Sequence, residues 1–238
     1  MQELKLKLIT GEPLKIRYHR SMAFSGGSAL VCDNNVVYQF YGKNDWPKAN
    51  RIRDVERLQY GSEEMKKTVQ SVLPMKWSML EDDKHKPIVV IRKETDCYPL
   101  DVVEGGLNSK DFDTVMMWSI SRMIKLSCVL KVNNIVYGGF QPQNLMIWAS
   151  GHSIFLPGGW WDTVEMDDGN KNSDIKDIKV LAKNYFSGGA YKYVRRWCEE
   201  PPAGDAFEEL KAWDEAVDES VGKREFVPLV IDPETAYG

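Results

Sequence analysis

The sequence predicts an α+β fold in which a β-rich segment precedes a mainly helical one. Within residues 1–100, short runs of β-branched and aromatic residues alternate with turn-forming residues, which is typical of an antiparallel sheet. From residue 111 onward, apolar residues recur at helical spacing. Strands followed by helices indicate an α+β protein, and they divide the chain into residues 1–98 and residues 99–238.

The first segment is predicted to hold strands at residues 1–10, 14–19, 28–32, 36–41 and 88–92. The Asp-Asn-Asn cluster at residues 33–35 predicts a hairpin turn, because Asn and Asp tolerate left-handed backbone conformations. In residues 48–60, Ile52, Val55 and Leu58 fall on one face, so this stretch predicts an amphipathic helix.

The second segment is predicted to begin with a long helix from residue 111 to a stop near Asn133, with Met116, Ile120 and Met123 on one apolar face. The remaining predicted elements are short strands at residues 145–148 and 153–156 and helices at residues 173–185 and 205–219. The apolar residues within 224–229 predict a tail that folds back onto these helices, because they would otherwise be exposed.

Composition and charge exclude several classes of protein. No apolar run approaches the roughly 18–20 residues that span a bilayer, and the N-terminal residues lack a signal peptide's apolar stretch. We therefore expect a cytoplasmic protein without a membrane partner. Residues 1–100 carry 17 Lys and Arg against 13 Asp and Glu, but the two signs are interleaved, which argues against a nucleic-acid partner. The four cysteines are scattered without metal-ligand spacing, so they predict reduced, packed thiols and no metal site.

The most informative segment is residues 135–147, IVYGGFQPQNLMI. It resembles the protein-kinase catalytic loop, H-R-D-x-x-x-x-N, in which the Asp accepts a proton and the Asn holds magnesium. In this alignment Asn144 keeps the Asn, whereas Gly139 stands at the Asp and Gln141 at the usual Lys. Glycine has no titratable group, so position 139 cannot act as a general base.

The same resemblance covers nearly the whole chain and implies a protein kinase-like two-lobed fold. It implies a β-rich N-lobe, an antiparallel sheet with one helix, over residues 1–98. It also implies a shortened, mainly helical C-lobe with a degenerate catalytic-loop hairpin over residues 99–238. The chain resembles in particular the small kinase-like proteins encoded by bacteriophages.

Other active-site positions of kinases are also degenerate in this chain. Gln39 stands at the phosphate-binding lysine of V-A-I-K, and Pro157 stands at the magnesium-binding Asp of D-F-G. Glu56 fits the glutamate that pairs with this lysine, but without that partner we expect it to be solvated or paired with a neighbouring arginine. Lys43 and Asp162 are the nearby groups that could substitute, in a displaced arrangement.

Two further features carry predictions about structure and binding. The resemblance implies that a buried aspartate braces the backbone of the catalytic loop, and Asp174 is the choice, with Asp177 one helical turn later as the alternative. Trp160 and Trp161 form a candidate interface, because exposed Trp anchors interfaces. On a strand, adjacent residues face opposite sides, so one of this pair is expected to be core.

Together these residues predict a catalytically inactive kinase-like protein, a pseudokinase. Gln39, Gly139 and Pro157 would remove the phosphate anchor, the base and the metal ligand at once. We expect no cofactor, weak or absent ATP binding, and action through an unidentified protein partner or a second copy, in the host cytoplasm if the chain is phage-encoded. Two alternatives remain: an atypical nucleotide-dependent transferase with displaced catalytic residues, and an unrelated α+β interaction or virion-associated protein.

Overall fold

The computed structural model of the chain describes residues 1–186, 188–222, 229–231 and 237. It shows a mixed α/β protein with a β-rich N-terminal region and a helical C-terminal region, which confirms the predicted order of strands and helices. Of the predicted tail at residues 224–229, residues 224–228 lie outside the described residues, and Leu229 is buried.

The N-terminal region is built from antiparallel strands. These are β1 (Gln2–Lys7), β2 (Pro13–Tyr18), β3 (Arg20–Phe24), β4 (Gly27–Val31), β5 (Asn35–Phe40), β6 (Trp77–Glu81) and β7 (Pro87–Arg92). Five of them form one sheet in the order β3-β4-β5-β7-β6, and β1 pairs with β2 as a separate hairpin. Alternation along β5 directs Tyr38 and Phe40 to the face that meets the rest of the protein, and Val37 to the outer face.

The hairpin β1–β2 covers the outer face of this sheet. Its inward residues Leu4, Leu6 and Ile16 pack with Val37 and Ile88 in a small apolar cluster of their own. The outer sheet face is thereby buried, and the opposite hairpin face is left to solvent.

Short helices connect β5 to β6. They are α1 (Trp46–Ala49), a 3-10 helix (Asn50–Arg57) and α2 (Glu63–Gln70). Ile52, Val55 and Leu58 are buried, as their spacing predicts, although the segment that carries the first two is a 3-10 helix. The Ser62 side chain caps α2 by accepting a hydrogen bond of 3.0 Å from the backbone N–H of Met65.

The C-terminal region is arranged around one long helix. Its helices are α3 (Leu100–Gly106), α4 (Ser109–Val132), α5 (Ser173–Tyr185), α6 (Lys192–Glu199) and α7 (Ala206–Val221). Short strands β8 (Cys97–Pro99), β9 (Ile135–Val136), β10 (Met146–Trp148), β11 (Ser153–Phe155) and β12 (Val164–Glu165) lie between them, with 3-10 turns at Pro142–Asn144, Trp160–Asp162 and Gly189–Tyr191. Helix α4 ends at Asn133, as predicted, and Asn134 adopts a left-handed backbone with a φ of 57°.

One hydrophobic cluster runs from the inner face of the sheet through α4 to α7. Cys32, Cys97 and Cys128 are buried, Cys198 is partly buried, and all four are free thiols. Within the described residues, no helix is both long enough and apolar enough to cross a bilayer.

Candidate functional site

The candidate site lies where the loop after β9 meets the segment after β11. The side-chain hydroxyl of Tyr137 donates a hydrogen bond to the backbone carbonyl of Gly158. Burial raises the pKa of Tyr137 well above its ordinary value, so the hydroxyl remains a protonated donor. From the other end of the same loop, Asn144 Nδ2 donates to the carbonyl of Gly139 at 3.1 Å.

Three glycines bring the two segments into backbone contact, and we call Gly139, Gly158 and Gly159 the glycine crossing. A Cβ atom added at Gly139 would lie 2.6 Å from the Tyr137 ring and 3.0 Å from the Cα of Gly159. A Cβ at Gly158 would lie 2.5 Å from Asn144 Oδ1. Gly159 has a φ of 81°, a left-handed conformation that side chains rarely adopt. The crossing therefore has no room for a side chain at any of these positions.

Asp174, at the start of α5, holds the first part of the loop. Its two carboxylate oxygens accept hydrogen bonds of 2.9 Å each from the backbone N–H groups of Tyr137 and Gly138. Burial raises the pKa of Asp174 to about 6; the two backbone hydrogen bonds oppose this rise and the nearby Asp177 adds to it. Of the two aspartates offered by the sequence, Asp174 therefore makes the contacts that a brace requires.

Above the glycine crossing, four side chains pack together, and we call Phe24, Tyr38, Phe40 and Trp161 the aromatic cluster. The Trp161 ring centroid lies 4.8 Å from that of Phe24, 4.5 Å from that of Tyr38 and 5.5 Å from that of Phe40. Trp161 is only 3% exposed. The space between the N-terminal sheet and the segment after β11 is thus filled by the chain's own rings.

Trp160 and Trp161, a pair expected to place one ring in the core and the other at an interface, are both buried. Trp160 is fully buried, donates from Nε1 to the carbonyl of Leu156 at 2.9 Å, and packs its ring 4.8 Å from that of Tyr137. The pair lies in the 3-10 turn Trp160–Asp162 and not in a strand. The turn directs one indole toward Tyr137 and the other toward the aromatic cluster, so both are core.

A side-chain hydrogen bond joins the turn between β3 and β4 to the 3-10 turn Trp160–Asp162. The Ser25 hydroxyl, in the turn between β3 and β4, lies 3.0 Å from Asp162 Oδ1 and 3.2 Å from Oδ2. Asp162 is therefore engaged by the N-terminal sheet. Lys43, the other proposed substitute, is exposed in the loop beyond β5, so strand alternation does not aim it at the site.

The side chains at the other positions aligned with kinase active-site residues do not lie together at the site. Gln39 follows Tyr38 on β5 and so faces the opposite side of the sheet, and Tyr38 is the side chain that reaches the glycine crossing. Glu56 is exposed on the 3-10 helix, Gln141 is exposed at the loop, and Pro157 is buried.

The magnesium nucleotide that the kinase resemblance implies does not fit these residues. Gly139 and Pro157 supply no side-chain ligand atom, and Asn144 is tied to the loop backbone. Within the described residues, no three His, Cys, Asp or Glu side chains are grouped closely enough to hold a metal ion. Magnesium needs several oxygen ligands in octahedral geometry, so no step of a reaction can be assigned to it here.

Sequence reasoning singled out Trp161 but missed its partners in the aromatic cluster. Tyr38 and Phe40 are two residues apart on one strand, so they share a face, and this spacing is a signal that the sequence contained. Phe24 carried no such signal, because its contact with Trp161 joins segments that are distant along the chain.

Comparisons with known proteins give likenesses to solved structures but no relative by sequence. No family model matches the chain, and no curated protein matches it. Among solved structures, the chain is similar to the kinase domain of a Toxoplasma gondii specific rhoptry antigen, with a TM-score of 0.49 and 11% identity over 92% of this chain and 80% of that one. Nothing about activity is transferred at such a distance, because one fold hosts many functions.

Proposed function

We propose that this chain is a pseudokinase, a kinase-like protein without phosphoryl-transfer activity that acts by binding protein. The glycine crossing is the observation that carries the proposal. A Cβ at Gly139, where kinases carry their catalytic Asp, would lie 2.6 Å from the Tyr137 ring. The position therefore lacks both a base and the room for one.

The kinase-like arrangement is supported by contacts that need no catalysis. In the proposed alignment, Asp174 braces the degenerate catalytic loop through the N–H groups of Tyr137 and Gly138. The five-stranded sheet, the helices that follow β5 and the long helix α4 come in the order that the resemblance implies. In this proposal the chain keeps the order of kinase elements but lacks the lysine and the two aspartates that kinases use in phosphoryl transfer.

Loss of activity follows from how phosphoryl transfer is catalysed. The reaction depends on positioning and on cations that neutralise charge on the transferred group. At the proposed site, neutral rings of the aromatic cluster occupy the space under the turn that contains Ser25. Rings and backbone carbonyls offer no compensation for the negative charge of a triphosphate, so nucleotide binding is expected to be weak or absent.

A protein-binding role suits a kinase-like protein whose nucleotide site is filled by its own side chains. The partner proposed is a protein, either an unidentified one or a second copy of this chain. The resemblance to phage-encoded proteins and a cytoplasmic location remain predictions from the sequence.

The proposal is tested by nucleotide titration and by a transfer assay on the purified chain. Thermal unfolding with ATP and magnesium should show no rise of the midpoint, because a ligand stabilises by RT ln(1 + [L]/Kd) only when it binds. Labelled ATP should transfer no phosphate to the chain or to a generic acceptor protein, under conditions in which an active protein kinase does so.

The Asp162→Ala variant makes this test specific to the site. Magnesium-dependent transfer that disappears in Asp162→Ala would replace the pseudokinase by a transferase that uses Asp162. The matched control is Asp168→Ala, because the Asp168 side chain is fully exposed elsewhere on the C-terminal region.

A further inference from the structure

The outer face of the hairpin β1–β2 is strongly basic. Alternation directs the leucines of both strands inward and leaves Lys5, Lys7, Lys15 and Arg17 exposed on the other side. Glu3 is the carboxylate among them, 3.6 Å from Lys5 and 3.6 Å from Arg17. We call these four cations the basic face.

The cations of the basic face lie close together on the two paired strands. Lys5 and Lys15 are direct partners in the strand register, and Glu3 pairs with Arg17. Like charges directly opposite each other on neighbouring strands destabilise a hairpin. The one carboxylate cannot neutralise four cations, so an anionic surface laid on this face would relieve their repulsion.

Helix α7 carries a surface of the opposite sign. Glu208, Glu215, Asp218 and Glu219 are exposed, and their spacing of three, four and seven residues places them along one side of the helix. Lys211 is the cation in this stripe, and it pairs with Glu215 at 3.8 Å. We call the four carboxylates the acidic stripe.

We propose that the basic face of one molecule binds the acidic stripe of a second copy of this chain. The two surfaces are similar in length: residues 208–219 rise by about 16 Å at 1.5 Å per residue, and the cations lie between the Glu3–Arg17 and Lys7–Pro13 pairs, four strand residues or about 13 Å apart. The hairpin covers the outer sheet face, whereas α7 packs on α4 and α6. Because the two surfaces are different patches, the contact is head-to-tail and generates either closed rings or open chains.

This inference rests on the binding role of the proposed function and names a second copy as the partner, although neither surface includes the glycine crossing or the aromatic cluster. It is tested by sedimentation velocity of the full chain over a range of protein concentrations. At 20 mM salt the mean sedimentation coefficient should rise with concentration, and at 0.5 M salt it should return to the monomer value, because salt screens exposed charges.

Charge reversal assigns the association to these two surfaces. The hairpin variant Lys5→Glu/Lys15→Glu and the helix variant Glu215→Lys/Asp218→Lys should each associate at least about tenfold more weakly alone, because like charges then face each other. An equimolar mixture of the two variants should regain association, since each reversed surface meets a complementary one. A misfolded variant could not show this recovery.

The control is Lys67→Glu/Lys110→Glu, which changes the net charge equally at exposed lysines outside both surfaces. This control should associate like the wild type. The inference is overturned if the wild type stays monomeric at low salt, if the hairpin variant associates normally, or if the mixture of variants does not recover. Each of these readings is independent of nucleotide binding, so failure here leaves the pseudokinase proposal standing.

Discussion

The ring of Trp161 lies with its centroid 4.5 Å from the ring of Tyr38. This contact joins the segment after β11 to the middle of the N-terminal sheet. In the proposed pseudokinase, the side chains that stabilise this junction would also be the ones that fill the nucleotide cleft.

Replacing Trp161 with alanine tests how much this packing contributes to the free energy of unfolding. Trp161→Ala should lower the free energy of unfolding by about 3–5 kcal/mol, because it removes a buried indole and leaves a cavity. The measurement is chemical denaturation, with Tyr41→Ala as the control, since Tyr41 is 62% exposed at the end of the same sheet. Equal losses in the two variants would contradict the aromatic cluster as a stabilising core.

Placing an aspartate at position 139 tests the glycine crossing. Gly139→Asp should give no phosphate transfer and should lower the free energy of unfolding by about 3 kcal/mol, because the new Cβ meets both a ring and a backbone atom. Gly61→Asp is the control, since a Cβ at Gly61 meets nothing within 4 Å. A stable Gly139→Asp variant would show that the two segments separate more easily than their packing indicates.

The raised pKa of Asp174 predicts a pH dependence of stability. The pKa rises from 3.8 in the reference state to about 6 in the folded protein, chiefly through burial. The folded state therefore binds more protons between these values, so the carboxyl contributes most below about pH 4 and progressively less up to about pH 6. The total change is about 3 kcal/mol.

This dependence is measured as the difference in unfolding free energy between the wild type and Asp174→Asn from pH 3.5 to pH 7.5. The difference should move against the wild type as the pH rises and become constant above about pH 7, one unit above the folded-state pKa. Asp168→Asn, at an exposed site, should show no such trend. A flat difference for Asp174→Asn would mean that its pKa is ordinary.

The buried ion pair between α5 and α7 gives a fourth prediction. Lys179 Nζ lies 3.1 Å from Glu209 Oε2, and these side chains are 6% and 2% exposed. Glu209 also accepts hydrogen bonds from Trp197 Nε1 at 2.8 Å and from the N–H of Ala203 at 2.6 Å. Glu209→Ala should cost about 3–5 kcal/mol, because it leaves a buried cation without its counter-ion and two donors without an acceptor.

The exposed pair on the same helix is the matched control for that variant. Lys211 and Glu215 are 79% and 65% exposed, and Glu215→Ala should change stability by at most about 0.5 kcal/mol. The losses of stability in Glu209→Ala and Glu215→Ala are compared by thermal unfolding in the same buffer. Comparable losses would show that burial adds nothing to the Lys179–Glu209 pair.

Local patterns in the sequence predicted the elements well, because they depend on near neighbours. The periodicity of residues 173–185 predicted α5 with the bounds that the structure shows, and Ile52, Val55 and Leu58 are buried as their spacing indicated. The C-terminal end of α4 was also predicted from the sequence, because it depends on the backbone preferences of Asn133 and Asn134.

Contacts between distant segments could not be predicted in the same way. The sequence drew attention to Gln39 at the lysine position, but the side chain that reaches the glycine crossing is Tyr38, because sheet register decides which residue of a strand faces inward. One of Trp160 and Trp161 was expected to be core, but the burial of both could not be predicted, because it depends on a 3-10 turn and on rings supplied by β3 and β5.

The continuous hydrophobic cluster has a consequence for how the protein melts. Apolar side chains from the sheet, α4 and α7 belong to one cluster, so neither half can open without wetting the other. Calorimetry should therefore record a single heat-absorption peak, and a chain cut near residue 95 should yield two fragments that do not fold alone. The β-rich and helical regions are therefore expected to unfold as a single cooperative unit.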